Sequence, residues 1–323
     1  MHERYDFCVS VVIPVKNGAE YIDEVLQSVF SQTCNFDYEV IVIDSGSTDR
    51  SLEILKEYDV KLIQIKPEKF NHGLTRNFGV ENSQGKFIAF LTQDATPVND
   101  RWLQNIVDPF LENPNIAGVF GKHLPRENCD PIVAIGLQRH FDLNISTNRK
   151  YWKKDNEYEN NRGVYIFFSN NNSCIRKSVW EKIPFREVEM SEDQWWAQDI
   201  LDSGYLKFYE PDALVYHSHN YFFIEWFQRQ FDEYREYTRI GVVNRASFYN
   251  ACKSFIGLCV KDTNQLLKIS EIPALKKINW ILVRILNNLG MVSGQFCGSR
   301  YDMIPTVVVE KILSQQSQRI NNR

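Results

Sequence analysis

Short unbroken apolar runs alternate along the first part of the chain with stretches whose apolar residues recur every three or four positions. Cys8-Val-Ser-Val-Val-Ile-Pro14 is apolar and β-branched on both parities, the mark of a strand covered on both faces. Ile22, Val25, Leu26, Val29 and Phe30 then fall at helical spacing. Tyr38 to Ile43 predicts a second buried strand, followed by the polar turn Asp44-Ser-Gly-Ser-Thr-Asp49. Thr48 or Asp49 suits the cap of a helix that turns Leu52, Leu55 and Tyr58 inward. Val60 to Ile65 predicts a third strand, Leu74 to Val80 a short helix, and Phe87 to Leu91 a fourth strand. Strands and helices alternating in this way imply right-handed crossovers and a mostly parallel sheet.

Beyond Pro97 the pattern predicts a helix through Trp102, Leu103, Ile106, Phe110 and Leu111, then a short strand at Ala117–Phe120. Residues 125 to 163 are polar and without period, and are expected to form a lid, an acceptor-binding insertion or a mobile loop. Val164 to Phe168 is apolar, and Ser169 to Ser173 is a polar turn. Glu192-Asp193 precedes a helix carrying Trp195 and Trp196, of which one is expected in the core and the other toward the site. Leu206–Tyr209 and Ala213–Tyr216 read as two strands, with His217-Ser-His219 after the second. From Phe222 onward the spacing is helical, with one stripe at Phe223, Phe227, Phe231 and Tyr234. A second runs through Leu275, Ile278, Leu282, Ile285 and Leu289. The expected organisation is an α/β domain over residues 1–222 and a helical C-terminal region over 223–323.

Composition narrows the classes. The 323 residues are 43% hydrophobic and 13% aromatic, ample for a packed core. A net charge of −4 argues against nucleic acid as partner. Seven cysteines without paired spacing suggest neither a disulfide framework nor a zinc site, and fit a reducing compartment. The first residues carry no signal-peptide pattern, and no apolar run approaches about 18 residues, so a cytoplasmic protein is expected.

In an open α/β sheet, ligands bind beyond the carboxyl ends of the strands. The polar residues at those ends are Lys16 and Asn17, Asp44, Asp94 and His217. Each has an ordinary alternative as a turn or surface residue, but together they describe one crevice with carboxylates and an imidazole, suited to a phosphate and a divalent ion. There is no GxGxxG after the first strand, so a dinucleotide site is not expected.

Several blocks carry a family resemblance. Val11-Val-Ile-Pro-Val-Lys-Asn17 is similar to the opening strand and turn of the family-two glycosyltransferases with a GT-A fold. Val42-Ile-Asp-Ser-Gly-Ser-Thr-Asp49 resembles their V-I-D-D-G-S-T-D block, and Arg76-Asn-Phe-Gly79 their A-R-N-x-G block. Thr92-Gln-Asp94 stands where the family carries its D-x-D metal motif, and Ser191-Glu-Asp193 resembles the segment that supplies the catalytic base. Phe70 to Asn77, Leu91 to Ala95 and Val215 to Asn220 further resemble the bacterial rhamnosyltransferase branch, which uses dTDP-rhamnose in O-antigen or capsule assembly.

The resemblance implies a GT-A type nucleotide-sugar-binding mixed, mostly parallel sheet and a single inverting displacement. Asp44 would bind the pyrimidine, and Pro14, Lys16 and Asn17 would hold base and ribose. Asp94 and His217 would ligate Mg2+ or Mn2+, with Thr92 or Gln93 adding a neutral oxygen. Arg76 would neutralise the leaving nucleotide, and Asp193 or Glu192 would act as general base. Ser45 in place of the second acid and Thr92 in place of the first D-x-D carboxylate depart from the pattern. They leave a UDP-hexose enzyme and a degenerate, non-catalytic nucleotide-sugar-binding scaffold as alternatives. The expected partners are a nucleotide sugar and a glycan acceptor, lipid-linked in one reading. The C-terminal stripes suggest packing on the catalytic domain or on a second subunit, or a basic face of Lys276, Lys277 and Arg284 resting on anionic lipid.

Overall fold

A computed structural model describes residues 9–145, 151–270 and 272–312. By internal contacts the chain divides into one unit of residues 1–127 and 137–218 and another of residues 128–136 and 219–323.

The first unit is built on a mixed sheet. β1 (Val9–Val15), β2 (Tyr38–Asp44), β3 (Lys61–Gln64) and β4 (Phe87–Leu91) form its parallel half in the order β3-β2-β1-β4. The crossovers are α1 (Ile22–Phe30), α2 (Ser51–Leu55) and α3 (His72–Glu81). Every residue of β4 is buried, as is every residue of β1 but Pro14, which is why these strands lack polar alternation. The other half holds β5 (Thr96–Pro97), β6 (Ile116–Leu124) after α4 (Trp102–Glu112), β8 (Asn172–Arg176) and β9 (Leu206–Tyr216). β8 runs antiparallel to both β4 and β6, β9 runs parallel to β6, and β5 pairs antiparallel with the end of β9.

Between β6 and β8 the structure departs from the expected irregular stretch. Residues 125–163 contain α5 (Pro131–Arg139), a π-helical turn at His140–Ile145, β7 (Tyr151–Trp152) and the start of α6 (Arg162–Ile166). The polar composition concealed aromatic anchors: Phe141, Trp152 and Tyr158 are buried. α6 ends over Lys207 of β9, whose fully buried ammonium donates to the carbonyls of Val164, Tyr165 and Phe167. Those carbonyls lie at the helix end, where acceptors lack intrahelical partners. β8 is followed by α7 (Lys177–Trp180) and then α8 (Glu192–Asp202). Leu206–Tyr216 is one strand rather than two; its break in register opposite Gly121 and Lys122 absorbs Pro211, Asp212 and Ala213. Leu111, expected on the inner face of α4, is 61% exposed.

The second unit comprises α9 (Phe223–Ile240), α10 (Phe248–Lys268), α11 (Ala274–Gly298) and α12 (Thr306–Ile312), with most of α5. α11 packs on α9 through Gly290, Gly294 and Gly298. A β-carbon at these positions would lie 2.4, 2.3 and 2.4 Å from the carbonyl oxygens of Phe223, Phe227 and Phe231. The packing face of α11 is therefore its small-residue face, and the stripe Leu275, Ile278, Leu282, Ile285 and Leu289 points outward. Arg284 is also not where the sequence suggested. It is 5% exposed, with its guanidinium 3.1 Å from Asp262, 3.6 Å from Asp130 and 3.2 Å from Asn288. A cation buried among two carboxylates belongs to the core of this unit and is withdrawn from any lipid-facing surface.

Candidate active site

The carboxyl ends of β1, β2 and β4 lie side by side, because Val15 pairs with Asp44 and Val12 with Phe90 in parallel register. The residues that follow each strand are tied to one another. Gln93, after β4, accepts from the Lys16 main-chain N–H at 2.7 Å and donates back to the Lys16 carbonyl at 3.2 Å. Its amide is thus spent on holding the end of β1, which leaves the neutral metal oxygen expected of it engaged elsewhere. The Lys16 ammonium donates to the carbonyls of Ser45, at 2.9 Å, and Gly46. Asn17 takes a left-handed backbone (φ 51°), and its Oδ1 accepts from the Thr48 N–H at 2.8 Å. Asp44 is fully buried and accepts from the N–H groups of Gly46 and Ser47 at 3.0 and 3.1 Å. A carboxylate has about four acceptor positions, so a donor N–H can still be accommodated.

β5 explains how Asp94 meets His217. Thr96 pairs with Tyr216, so the residues just before β5 face those just after β9, and Asp94 Oδ1 stands 3.6 Å from His217 Nε2. Two donor atoms bound cis to one ion at about 2.1 Å stand about 3 Å apart, so a small closure would bring this pair into ligating geometry. One carboxylate and one imidazole, each partly open to solvent, suit magnesium or manganese completed by phosphate oxygens, with the imidazole favouring manganese. The residues fit the expected ion.

Arg126, absent from the sequence expectations, belongs to this end of the sheet. Its guanidinium donates to the Asp94 carbonyl at 2.9 Å, to Thr96 Oγ1 at 2.8 Å and to Glu24 at 3.1 Å. It also stacks 4.1 Å above the Tyr21 ring. Its only sequence signal is a lone arginine two residues after the buried strand β6.

A second cluster lies beside the first through β8. Leu91 pairs with Asn172, so continuing the antiparallel register by one step sets Asn171 opposite Thr92. Asn170 then ties the acids of α8 to this turn: its main-chain N–H donates to Asp193 at 3.1 Å and its side-chain amide to Glu192 at 3.1 Å. Asn170 Oδ1 accepts from Ser173 Oγ at 2.9 Å, which fixes the amide orientation. Arg76, expected at the leaving nucleotide, is instead 4% exposed and pairs with Glu192 at 3.0 Å while donating to the His72 carbonyl at 3.1 Å. Burial alone would raise the Glu192 pKa, but the charge of Arg76, followed by that of His72 and the Asn170 hydrogen bond, holds it below the ordinary carboxylate range. Asp193 is pushed up to about 7, first by burial and then by the negative charge of Glu192. Two neighbouring acids with pKa values driven apart can divide the roles of fixed charge and proton acceptor. Of the tryptophan pair, Trp196 is fully buried and Trp195 is partly exposed beneath Arg186.

The family model described as glycosyl transferase family 2 matches residues 10–181. The chain is 32% identical over 227 residues to the O-antigen chain rhamnosyltransferase WbaN of Salmonella anatum, covering 69% of this chain and 70% of that one. It is 33% identical over 228 residues to the O-antigen chain rhamnosyltransferase RfbN of Salmonella typhimurium, with the same coverage. Among solved structures, the mannosyltransferase PcManGT from Pyrobaculum calidifontis, in complex with GDP-Man and Mn2+, superposes with a TM-score of 0.61 at 15% identity. That match covers 94% of this chain and 92% of the other, and supports the expected GT-A fold. The chain is a glycosyltransferase, and it belongs to glycosyl transferase family 2.

Proposed function

We propose that the enzyme moves L-rhamnose from dTDP-β-L-rhamnose, with inversion, to a hydroxyl of a growing bacterial surface glycan such as O-antigen or capsule. The acceptor is carried on lipid, so the reaction takes place at the inner face of the cytoplasmic membrane. The observation that carries the reading is the meeting of two unlike acidic groups around the end of β4: Asp94 with His217, and Asp193 with Glu192. The first suits a diphosphate and its ion, the second a proton transfer. The two O-antigen rhamnosyltransferases support the donor and acceptor class.

Asp44 accepts the pyrimidine N–H, while Pro14, Lys16 and Asn17 shape the base and ribose pocket at the end of β1. Asp94 and His217 would hold the divalent ion, which when bound would supply Lewis-acid stabilisation of the leaving diphosphate. Arg126 fixes the Asp94 turn and adds positive charge there. Asp193 removes the proton from the acceptor hydroxyl as its oxygen bonds to the anomeric carbon. The bond from that carbon to the diphosphate oxygen breaks, and its electron pair leaves with dTDP. Glu192, kept ionised by Arg76, sustains the proton affinity of Asp193.

A thermal-shift panel of dTDP, dTDP-rhamnose, UDP-glucose and UDP-N-acetylglucosamine, each with and without manganese, tests the donor. Saturation at 100 times the dissociation constant stabilises by about 2.7 kcal/mol. A manganese-dependent shift with the thymidine compounds is expected. A preference for uridine compounds refutes the donor assignment, and no shift with any compound counts against thymidine and uridine donors alike.

A further inference from the structure

The second unit turns its apolar side chains outward on two successive helices. On α11, Leu275, Ile278, Leu282, Leu286 and Leu289 are 84, 57, 59, 57 and 46% exposed. They recur at spacings of three and four, so they form one stripe along a single face of the helix, about 21 Å long. On α10, Tyr249, Ile256, Val260 and Leu267 are 74, 61, 56 and 59% exposed and also share a face. An amphipathic helix in a folded unit normally buries such a stripe. Here a largely polar and small face is the one packed: the buried residues are Asp262 and Leu266 of α10, and Arg284, Asn287, Asn288, Gly290, Val292, Gly294 and Gly298 of α11.

Charge completes the picture. α10 and α11 together contain Lys253, Lys261, Lys268, Lys276, Lys277 and Arg284, and a single acid, Asp262. That acid is 3% exposed and paired with the buried Arg284. Lys253, Lys261, Lys268 and Lys276 are exposed, so the charge these helices present to solvent is positive, on a chain whose net charge is −4. A continuous apolar stripe beside lysines with no exposed acid is the composition of a helix that lies in the interface of an anionic bilayer. Neither helix is long and apolar enough to cross a membrane.

We infer that α10 and α11 form an interfacial docking surface for anionic lipid, with their outward apolar stripes seated among the acyl chains and their lysines at the headgroups. This deepens the membrane-surface reading above, naming the outward stripes and Lys253, Lys261, Lys268 and Lys276 in place of a face that included Arg284. It requires no particular donor or acceptor.

Co-sedimentation with vesicles of phosphatidylcholine alone, and of phosphatidylcholine mixed with phosphatidylglycerol, tests it on the full chain. Binding to the phosphatidylglycerol vesicles is expected, weakening as salt is raised. Leu282→Glu with Leu286→Glu should weaken it about a hundredfold. Neutralising Lys268 and Lys276 with glutamine should cost about fivefold per charge without touching the apolar stripe. Thermal melts and light scattering accompany both variants, and donor-induced thermal shifts should stay unchanged in each. Wild-type protein that ignores anionic vesicles at low salt overturns the inference, as does binding that neither variant weakens. A dimer in solution dispersed by Leu282→Glu would give the surface to a second copy and equally overturn it. Failure of rhamnosyl transfer with vesicle binding intact would count against the donor and leave this surface standing.

Discussion

Glu192→Gln separates the two acids at the start of α8. Both carboxylates accept from Asn170 at 3.1 Å, one from its main-chain N–H and one from its side-chain amide; for charges about 6 Å apart at an effective dielectric of about 20 the repulsion is about 3 kcal/mol. That corresponds to about two pKa units, of which Arg76, 3.0 Å from Glu192, cancels a part and leaves about one. Glutamine removes the negative neighbour while the Arg76 cation stays, and this lowers the Asp193 pKa from about 7. A general base must be deprotonated, so the wild-type rate should rise with pH through about 7 and then level off. In the variant the rising limb should move to lower pH by one to two units, about what these magnitudes allow. The assay is nucleotide release coupled to sugar transfer, with kcat/KM measured across pH. A limb that stays near 7, or moves upward, refutes the electrostatic coupling. Loss of activity at every pH in a folded variant would make Glu192 the base. Stability should fall by about 3 kcal/mol in urea titrations, because a buried arginine loses its carboxylate.

Two further outcomes follow from the geometry. Asp94→Asn removes the carboxylate charge facing His217, so donor affinity in manganese should fall about tenfold or more, with little change in chelator; calorimetry with and without manganese measures it. Gly294→Leu would drive a β-carbon to 2.3 Å from the Phe227 carbonyl, separating α9 from α11 and destabilising the second unit by about 2 kcal/mol or more, visible in thermal melts.

The parallel half of the sheet was legible because its strands are buried on both faces and therefore apolar on both parities. Phe87–Leu91 is the strand itself, residue for residue, and the polar residues after it lead into the site. Asp44, Asp94 and His217 could be singled out because strand ends in such a sheet open onto the ligand crevice. What periodicity could not show was partnership. Arg76 and Gln93 have the right chemistry for the nucleotide, yet their hydrogen bonds go to Glu192 and Lys16, residues distant in sequence. Arg126 and Asn170 left no pattern beyond a lone cation and a polar turn. In the C-terminal helices the apolar stripe read as a packing face, while the decisive signal was Gly290, Gly294 and Gly298 at intervals of four. Small residues allow backbone to approach backbone, and once α9 packed there the leucines faced outward. Residues 125–163 misled because charged and polar positions outnumber the buried aromatics that anchor the segment.

The proposed role of Asp193, proton acceptor in a sugar transfer assembled around the end of β4, is decided by comparing Asp193→Asn with wild type, measuring donor-induced thermal shift and transfer rate on the same preparations. The expected result is an undiminished shift with dTDP-rhamnose and manganese and a transfer rate lower by about a thousandfold. A variant that keeps transfer within a few fold of wild type rules out Asp193 as the base.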